Sequence, residues 1–240
     1  MKTVIECQQL QYNELHQPVS FVIKEKTITC IVGPLRSGKS SLMLTLAGIN
    51  APTAGKTTIF GLNPNTIKKG EWLELRRRVG YVLPNSSLVS HLSGINNVAL
   101  PINYHQLEKP GDAEQVAVDM LTWLGCEADY NSLPSSLCEH DKRLINIARA
   151  LVLSPSVLCI DEAFAQLDVL KKKEFIHHYE KICQERDITL LLATHDLNAA
   201  RECGDQFIFM AGEDVLWFDN WEDLQASDNQ YLIQYREGIA

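Results

Sequence analysis

The sequence predicts an α/β fold, with buried strands alternating with amphipathic helices around a sheet. Three observations carry that expectation. Ile28 to Val32, Val79 to Leu83, Val157 to Ile160, Leu190 to Ala193, Gln206 to Met210 and Val215 to Phe218 have strand length, and several are apolar throughout. Strands covered on both faces read that way. Between them lie longer stretches with apolar residues three and four apart, such as Leu170, Phe175, Tyr179 and Ile182, the spacing of a helix with one buried stripe. Finally, 240 residues with 45% apolar and 22% charged side chains suit one large domain or a lobed pair, and exclude a disordered or fibrous chain.

Taken in order, Thr3 to Cys7 and Val19 to Ile23 precede any helical pattern, and with Thr57 to Phe60 they are expected to form an antiparallel β lobe. The strand Ile28 to Val32 runs directly into Gly33-Pro34-Leu35-Arg36-Ser37-Gly38-Lys39-Ser40, followed by the helical pattern Ser41 to Ala47. This fits G-x-x-x-x-G-K-[ST] in its proper strand-to-helix setting. Glycines let the backbone curl so that its N–H groups converge on phosphate oxygens, helped by the positive end of the next helix. Lys39 is expected to reach the β and γ phosphates, and the Ser40 hydroxyl to ligate Mg²⁺. A plain glycine turn with a surface lysine is the bland alternative, and the flanking strand and helix argue against it.

Farther on, Val157 to Ile160 ends in Asp161 and Glu162, and ligands collect at the carboxyl ends of parallel strands. Asp161 suits the Mg²⁺ shell, and Glu162 suits a role polarising an attacking water. Leu190 to Ala193 is followed by Thr194-His195-Asp196. A histidine at a strand end can sense or stabilise a γ-phosphate, although a lone histidine is more often an ordinary polar residue.

Net charge is −8, which argues against generic nucleic-acid or anionic-lipid binding through bulk electrostatics. The seven cysteines include no C-x-x-C pair, so a zinc or disulfide framework is not expected, and most sit in apolar runs as small hydrophobes. The opening MKTVIECQQ lacks a signal-peptide core, and no apolar stretch is long enough to span a bilayer. A cytosolic chain is the expectation. Lys171 to Lys173 and Arg76 to Arg78 read as solvated basic runs. From Val79 through Leu107 there is no Asp, Glu, Lys or Arg. That segment either receives a hydrophobic partner helix or packs inside its own domain.

The phosphate loop, a long insertion, Asp161-Glu162, Leu167-Asp168 and a strand ending in His195 follow one another in an order that resembles the ATPase subunits of ABC transporters. The resemblance spans nearly the whole chain. It implies a P-loop NTPase with a RecA-like core, an N-terminal antiparallel β lobe and an α-helical lobe, all within one domain over residues 1–240. The β lobe and core would take 1–83 and 154–218, the helical lobe 84–153, and a helical tail 219–240. It implies ATP and Mg²⁺ as cofactors, held by Gly33 to Ser41 with Ser40 and Asp161 on the metal. Glu162 and His195 become the catalytic pair, Asp168 the acidic end of the D-loop, and Tyr12 the aromatic that stacks on adenine. It also implies a peripheral place on the inner face of the cell membrane, an integral membrane permease, and a second ATPase subunit, either a copy or a different chain. Within the family, Asn97-Val-Ala-Leu-Pro101, Pro134-Ser-Ser-Leu137 and the tail Gln225 to Asn229 with Tyr231 to Gly238 resemble Mla-type phospholipid transporters, which work with MCE proteins. In the family a permease helix docks beside the Gln-bearing loop, which places the contact near Leu88 and Leu92.

Three positions depart from the family pattern. The glutamine after Tyr81-Val82-Leu83 is Pro84, which offers no donor, with Asn85 one residue later. The signature Leu-Ser-Gly-Gly-Gln reads Leu137-Cys138-Glu139-His140-Asp141, whose carboxylates oppose a phosphate. Ala163 stands where the family prefers proline, a change expected to matter little. The phosphate and metal half of the site is thus nearly complete and the signature half is poor. Two function classes follow: an ATPase driving a permease, or a binding module that uses ATP as dimer glue without efficient hydrolysis. A soluble ABC protein acting in translation or repair fits the length less well.

Overall fold

The computed structural model describes residues 2–11, 17–84, 87–105, 107, 112–127 and 129–238. Two sheets organise these residues. The smaller is antiparallel, with β1 (Thr3–Gln11) between β2 (Val19–Lys24) and β4 (Ala54–Ile59). The larger has six strands in the order β5-β6-β7-β3-β8-β9, formed by β3 (Ile28–Val32), β5 (Val79–Val82), β6 (Val157–Ile160), β7 (Thr189–Thr194), β8 (Gln206–Ala211) and β9 (Asp214–Phe218). Its pairs are parallel except β8 with β9. Every residue of β3, β6, β7 and β8 is buried, as their unbroken apolar runs predict.

Helix α1 (Lys39–Leu46) lies in the layer between the sheets. Its Leu42, Met43 and Leu46 share one core with Ile5, Ile23 and Ile59 of the small sheet and Cys159, Leu191 and Ala193 of the large one. Phe21 stacks on Trp217 at 5.0 Å, tying β2 to β9. Helix α2 (Lys69–Arg77) leads into β5.

A helical layer follows, made of α3 (Gly94–His105), α4 (Asp112–Trp123) and α5 (Glu139–Leu151), with a short 3₁₀ turn at Pro134–Ser136. Val98, Ala99, Ile102, Ala117, Leu121, Ile145 and Ala148 form its core. Within the uncharged segment Val98, Ala99 and Ile102 pack inside their own domain, whereas Leu100 and Tyr104, the latter 74% exposed, face outward. Gly80 lets α5 approach β5, because a Cβ there would meet the Ala150 carbonyl at 2.7 Å.

Helices α6 (Val169–Arg186) and α7 (Leu197–Cys203) cover the large sheet. The tail holds two short helices, α8 (Trp221–Ala226) and α9 (Gln230–Arg236), opened by the N-caps Asn220 and Asn229. Polar Ser227 and Asp228 and the helix-starting Asn229 divide them. All seven cysteines are free thiols; six are buried, and Cys138 is exposed. Among the described residues no helix is long and apolar enough to cross a membrane.

Candidate functional site

Strand β3 delivers the glycine-rich loop to the edge of the sheet, and α1 leads away from it. Gly33 is required by crowding: a Cβ there would lie 2.0 Å from the Met210 carbonyl oxygen of β8. Gly38 adopts a left-handed conformation at the start of α1, with φ 90°, and Arg36 does so within the loop, with φ 64°. Alternating handedness of this kind turns successive N–H groups to one side. Leu35, Arg36 and Ser40 are exposed at the rim, whereas Pro34, Ser37, Gly38 and Ser41 are half-buried.

Lys39 is only 4% exposed. Its Nζ donates to the carbonyl oxygens of Gly33 (2.9 Å) and Pro34 (2.6 Å), with Ser37 Oγ at 3.5 Å. Burial pulls its pKa down, and the charges of Glu162 and Asp161 oppose that shift. The ammonium thus closes the loop over itself, with no carboxylate in direct contact among the described residues.

Asp161 follows β6, is also 4% exposed, and has one buried oxygen, Oδ1, without a hydrogen-bond partner. Burial pushes its pKa up; a hydrogen bond from Ser40 offsets part of this. Tyr81 donates from its hydroxyl to Oδ2 at 3.5 Å. A buried carboxylate oxygen lacking a partner, beside a serine hydroxyl, is a costly arrangement for a protein alone. It is a suitable one for Mg²⁺, which takes one or two protein oxygens and fills the rest of its octahedron with phosphate and water. That no cluster of three His, Cys, Asp or Glu exists among the described residues agrees with this donor set.

Glu162 turns the corner in a left-handed conformation, φ 55°. Its Oε2 lies 3.3 Å from Nδ1 of His195, which follows β7. Arg143 of α5 donates to the carbonyls of Glu162 (3.2 Å), Ala163 (2.7 Å) and Ala165 (2.9 Å), and the Tyr179 hydroxyl donates to Ala163 at 2.9 Å. The turn bearing Glu162 is therefore fixed from two helices, and Ala163 is fully buried.

The fold brings Gly33 to Ser41, Asp161, Glu162 and His195 together at the carboxyl ends of β3, β6 and β7. Asp168 stands apart: its carboxylate caps α6 by accepting from Lys171 N at 2.9 Å. Tyr12 and Asn85 lie outside the described residues. At the signature segment, His140 is half-buried. It turns onto α6, with Nε2 3.3 Å from Glu174 Oε1 and its ring edge-on to Phe175 at 5.4 Å. Sequence reasoning missed Tyr81 and Arg143. The register pairing Tyr81 with Cys159 places that ring on the same face as Asp161, two residues on, a signal available once β5 and β6 are known to be neighbours.

A groove of about 460 Å³ lies between α2, β5, α3 and α5, lined among others by Arg76, Tyr81, Leu100, Tyr104 and Arg149. Among the described residues no Asp or Glu lines it. Arg149 donates to Ser87 O (2.8 Å) and Asn146 Oδ1 (2.7 Å), and Arg76 reaches Ala47 O at 3.4 Å. Burial pulls both guanidiniums below the usual arginine range. Leu88, by contrast, is half-buried against the helical core.

Comparison with known proteins matches this geometry. A family model described as ABC transporter matches residues 16–165. The ABC transporter ATP-binding protein YtrE of Bacillus subtilis (strain 168) is 32% identical over 179 residues, covering 74% of this chain and 77% of that protein. Methionine import ATP-binding protein MetN 1 of Acinetobacter baylyi is 32% identical over 186 residues, or 78% of this chain, which spans only 52% of that protein's length. Among solved structures, cbiO1 from Clostridium perfringens, described as part of the ABC transporter complex cbiONQ, superposes with a TM-score of 0.81 at 25% identity, over 94% of this chain and 92% of its own. The chain belongs to the ABC transporter family: it is an ATPase of the ABC type, with ATP and Mg²⁺ as its cofactors.

Proposed function

We propose that this chain is the ATP-binding subunit of a membrane transporter, coupling Mg-ATP binding and hydrolysis to a permease seated in the Arg76–Arg149 groove. The observation that carries the reading is Asp161, buried with one carboxylate oxygen unpartnered next to Ser40 and the folded-in Lys39. Lys39 exchanges its loop carbonyls for β and γ phosphate oxygens, and the loop N–H groups hold the same phosphates. Ser40 and Asp161 would hold Mg²⁺, which would supply positive charge against the phosphate oxygens. Glu162 orients water and takes its proton as the water oxygen bonds to the γ phosphorus and the bond to the β-phosphate oxygen breaks. His195, 3.3 Å from Glu162, holds that carboxylate and faces the developing charge.

The groove supports the partner assignment. Its apolar walls and two half-buried arginines without a carboxylate suit a helix that is apolar along one side and carries an Asp or Glu. Burying that acid against Arg76 and Arg149 supplies the charge they lack. YtrE, MetN 1 and cbiO1 carry names tied to transport, which supports a permease. A lipid cargo with an MCE-type companion rests on the Mla-like segments alone. One of these has a local explanation: Asn97 is fully buried, accepts from Val89 N (2.8 Å), and reaches the carbonyls of Val89, Leu92 and Ser93, so it anchors the preceding loop.

The signature end favours an asymmetric pair, in which a second ATPase with an intact signature completes the Lys39 site. Pro84 and Cys138 to Asp141 also favour the gate-without-hydrolysis reading over the engine. Two measurements decide. ATP turnover of the purified chain alone at about 1 per second or faster sinks the asymmetric pair. In the assembled complex, Glu162→Gln abolishes transport if this chain hydrolyses ATP and leaves it nearly unchanged if it only binds. Loss of ATP binding in Lys39→Ala, read by calorimetry, tests the phosphate site on which both depend.

A further inference from the structure

The C-terminal tail reaches the site. Asn229 opens α9, its Oδ1 accepting from Leu232 N (3.1 Å), while its Nδ2 donates to Asp214 Oδ2 at the start of β9 (2.8 Å). Leu232 is fully buried, and Tyr235 packs on Phe209 of β8 with ring centroids 5.6 Å apart. The far end of Tyr235 donates its hydroxyl to the backbone carbonyl of His195.

That carbonyl belongs to the peptide joining His195 to Asp196. Asp196 is already fixed: its N–H donates to Thr194 Oγ1 (3.0 Å), its Oδ1 caps α7 through Ala199 N (3.0 Å), and Lys172 of α6 pairs with Oδ2. His195 lies between these anchors with its side chain roughly half exposed, so packing alone does not set its ring. Tyr235 supplies the missing restraint from a separate element.

We propose that Tyr235 is a positioning residue for His195, fixing the 195–196 peptide so that the imidazole stays within reach of Glu162. The proposal rests on the reading of Glu162 and His195 as the hydrolytic pair, and adds the tail to the machinery. Tyr235 suits a constant donor: burial pushes its pKa up to about 12, and the charges of Asp196 and Glu162 add to the rise.

The test is Tyr235→Phe in the full chain, which keeps the ring and its contact with Phe209. Steady-state ATPase kinetics are read beside the ¹³C–¹H imidazole signal of His195, assigned by its loss in His195→Gln. The expected result is a kcat about fivefold lower, with KM for ATP within about twofold. The His195 signal shifts while the other histidine signals hold still. An unmoved His195 signal overturns the proposal, whatever happens to kcat. A moved signal with unchanged kcat overturns it too, given an enzyme whose turnover Glu162→Gln abolishes. Retained turnover in Glu162→Gln sinks the underlying assignment instead, and the imidazole signal still reports whether the tail holds His195.

Discussion

Two helix N-termini in this chain stand where the family resemblance places phosphate contacts, and their first turns differ in opposite directions. Helix α1 starts at Gly38 with no acid in its first turn. Around it Asp161 Oδ1 has no partner, and Lys39 is held by neutral carbonyl oxygens and a hydroxyl and not by a carboxylate. Helix α5 starts at Cys138 and places Glu139 and Asp141 in its first turn. There the acids are answered from within: Cys138 Sγ donates to Asp141 Oδ2 (2.9 Å), Glu139 pairs with Lys142 (2.6 Å), and His140 Nε2 meets Glu174 (3.3 Å), although the buried His140 Nδ1 has no partner. A surface shaped for a ligand tolerates unpaired groups because the ligand satisfies them. At the α5 end the first-turn carboxylates are paired within the chain, and two acids there oppose a phosphate.

The strongest way to break this contrast is to rebuild the signature. A carboxylate about 4 Å from a phosphate charge costs on the order of 4 kcal/mol at an effective dielectric near 20. Solvent screening lowers that for the exposed Glu139, and less for the half-buried Asp141. Cys138→Ser, Glu139→Gly and Asp141→Gln together are expected to raise ATP turnover of the chain alone by about tenfold or more. His140 is kept in this variant because its ring packs on Phe175. Turnover that stays flat shows that the acids are not what silences the α5 end.

The groove offers the next largest effect and sets two placements against each other. Leu88 and Leu92 are the positions the family resemblance puts near the permease; Leu88 is half-buried against the helical core, and Leu100 and Tyr104 face the groove. Leu100→Glu is expected to lower permease co-purification about tenfold. Leu88→Glu should instead lower Tm, as a charge forced against a core does. If Leu88→Glu alone releases the permease while the fold stays stable, the groove is not the docking site.

How far the sequence reveals this chain varies with the physics of each part. The α/β layering is legible because β3, β6, β7 and β8 are covered on both faces and so carry unbroken apolar runs. Gly33 to Ser40 is legible because a backbone curl around phosphate demands glycines at fixed spacing. Tyr81, Arg143 and Tyr235 were not legible as site residues. Each acts across elements distant in sequence: Tyr81 through the β5–β6 register, Arg143 by crossing from α5 to the turn after β6, and Tyr235 by folding back on His195. No local pattern records such pairings. The contact of His140 with Glu174 of α6 is of the same kind.

The smallest effect probes whether the α1 side really holds unmet charge. Burial raises the Asp161 carboxyl above its ordinary value, with the charge of Glu162 adding to the rise. A carboxyl shifted upward costs nothing while protonated in both folded and unfolded states. As pH climbs through the ordinary carboxylate range near 3.9, the unfolded chain ionises first and stability falls, until pH passes the raised folded value. Without nucleotide, Asp161→Asn is therefore expected to raise Tm by about 2 °C at pH 7, and the gain should shrink toward zero as the pH approaches the ordinary carboxylate value. Mg-ATP should invert the order, since the ligand stabilises the wild type through the carboxylate that the variant lacks. A lower Tm for Asp161→Asn at pH 7 without nucleotide makes Asp161 a structural acid and removes the contrast between the two helix ends. A higher Tm that Mg-ATP then reverses ties the cost of Asp161 directly to the ligand it awaits.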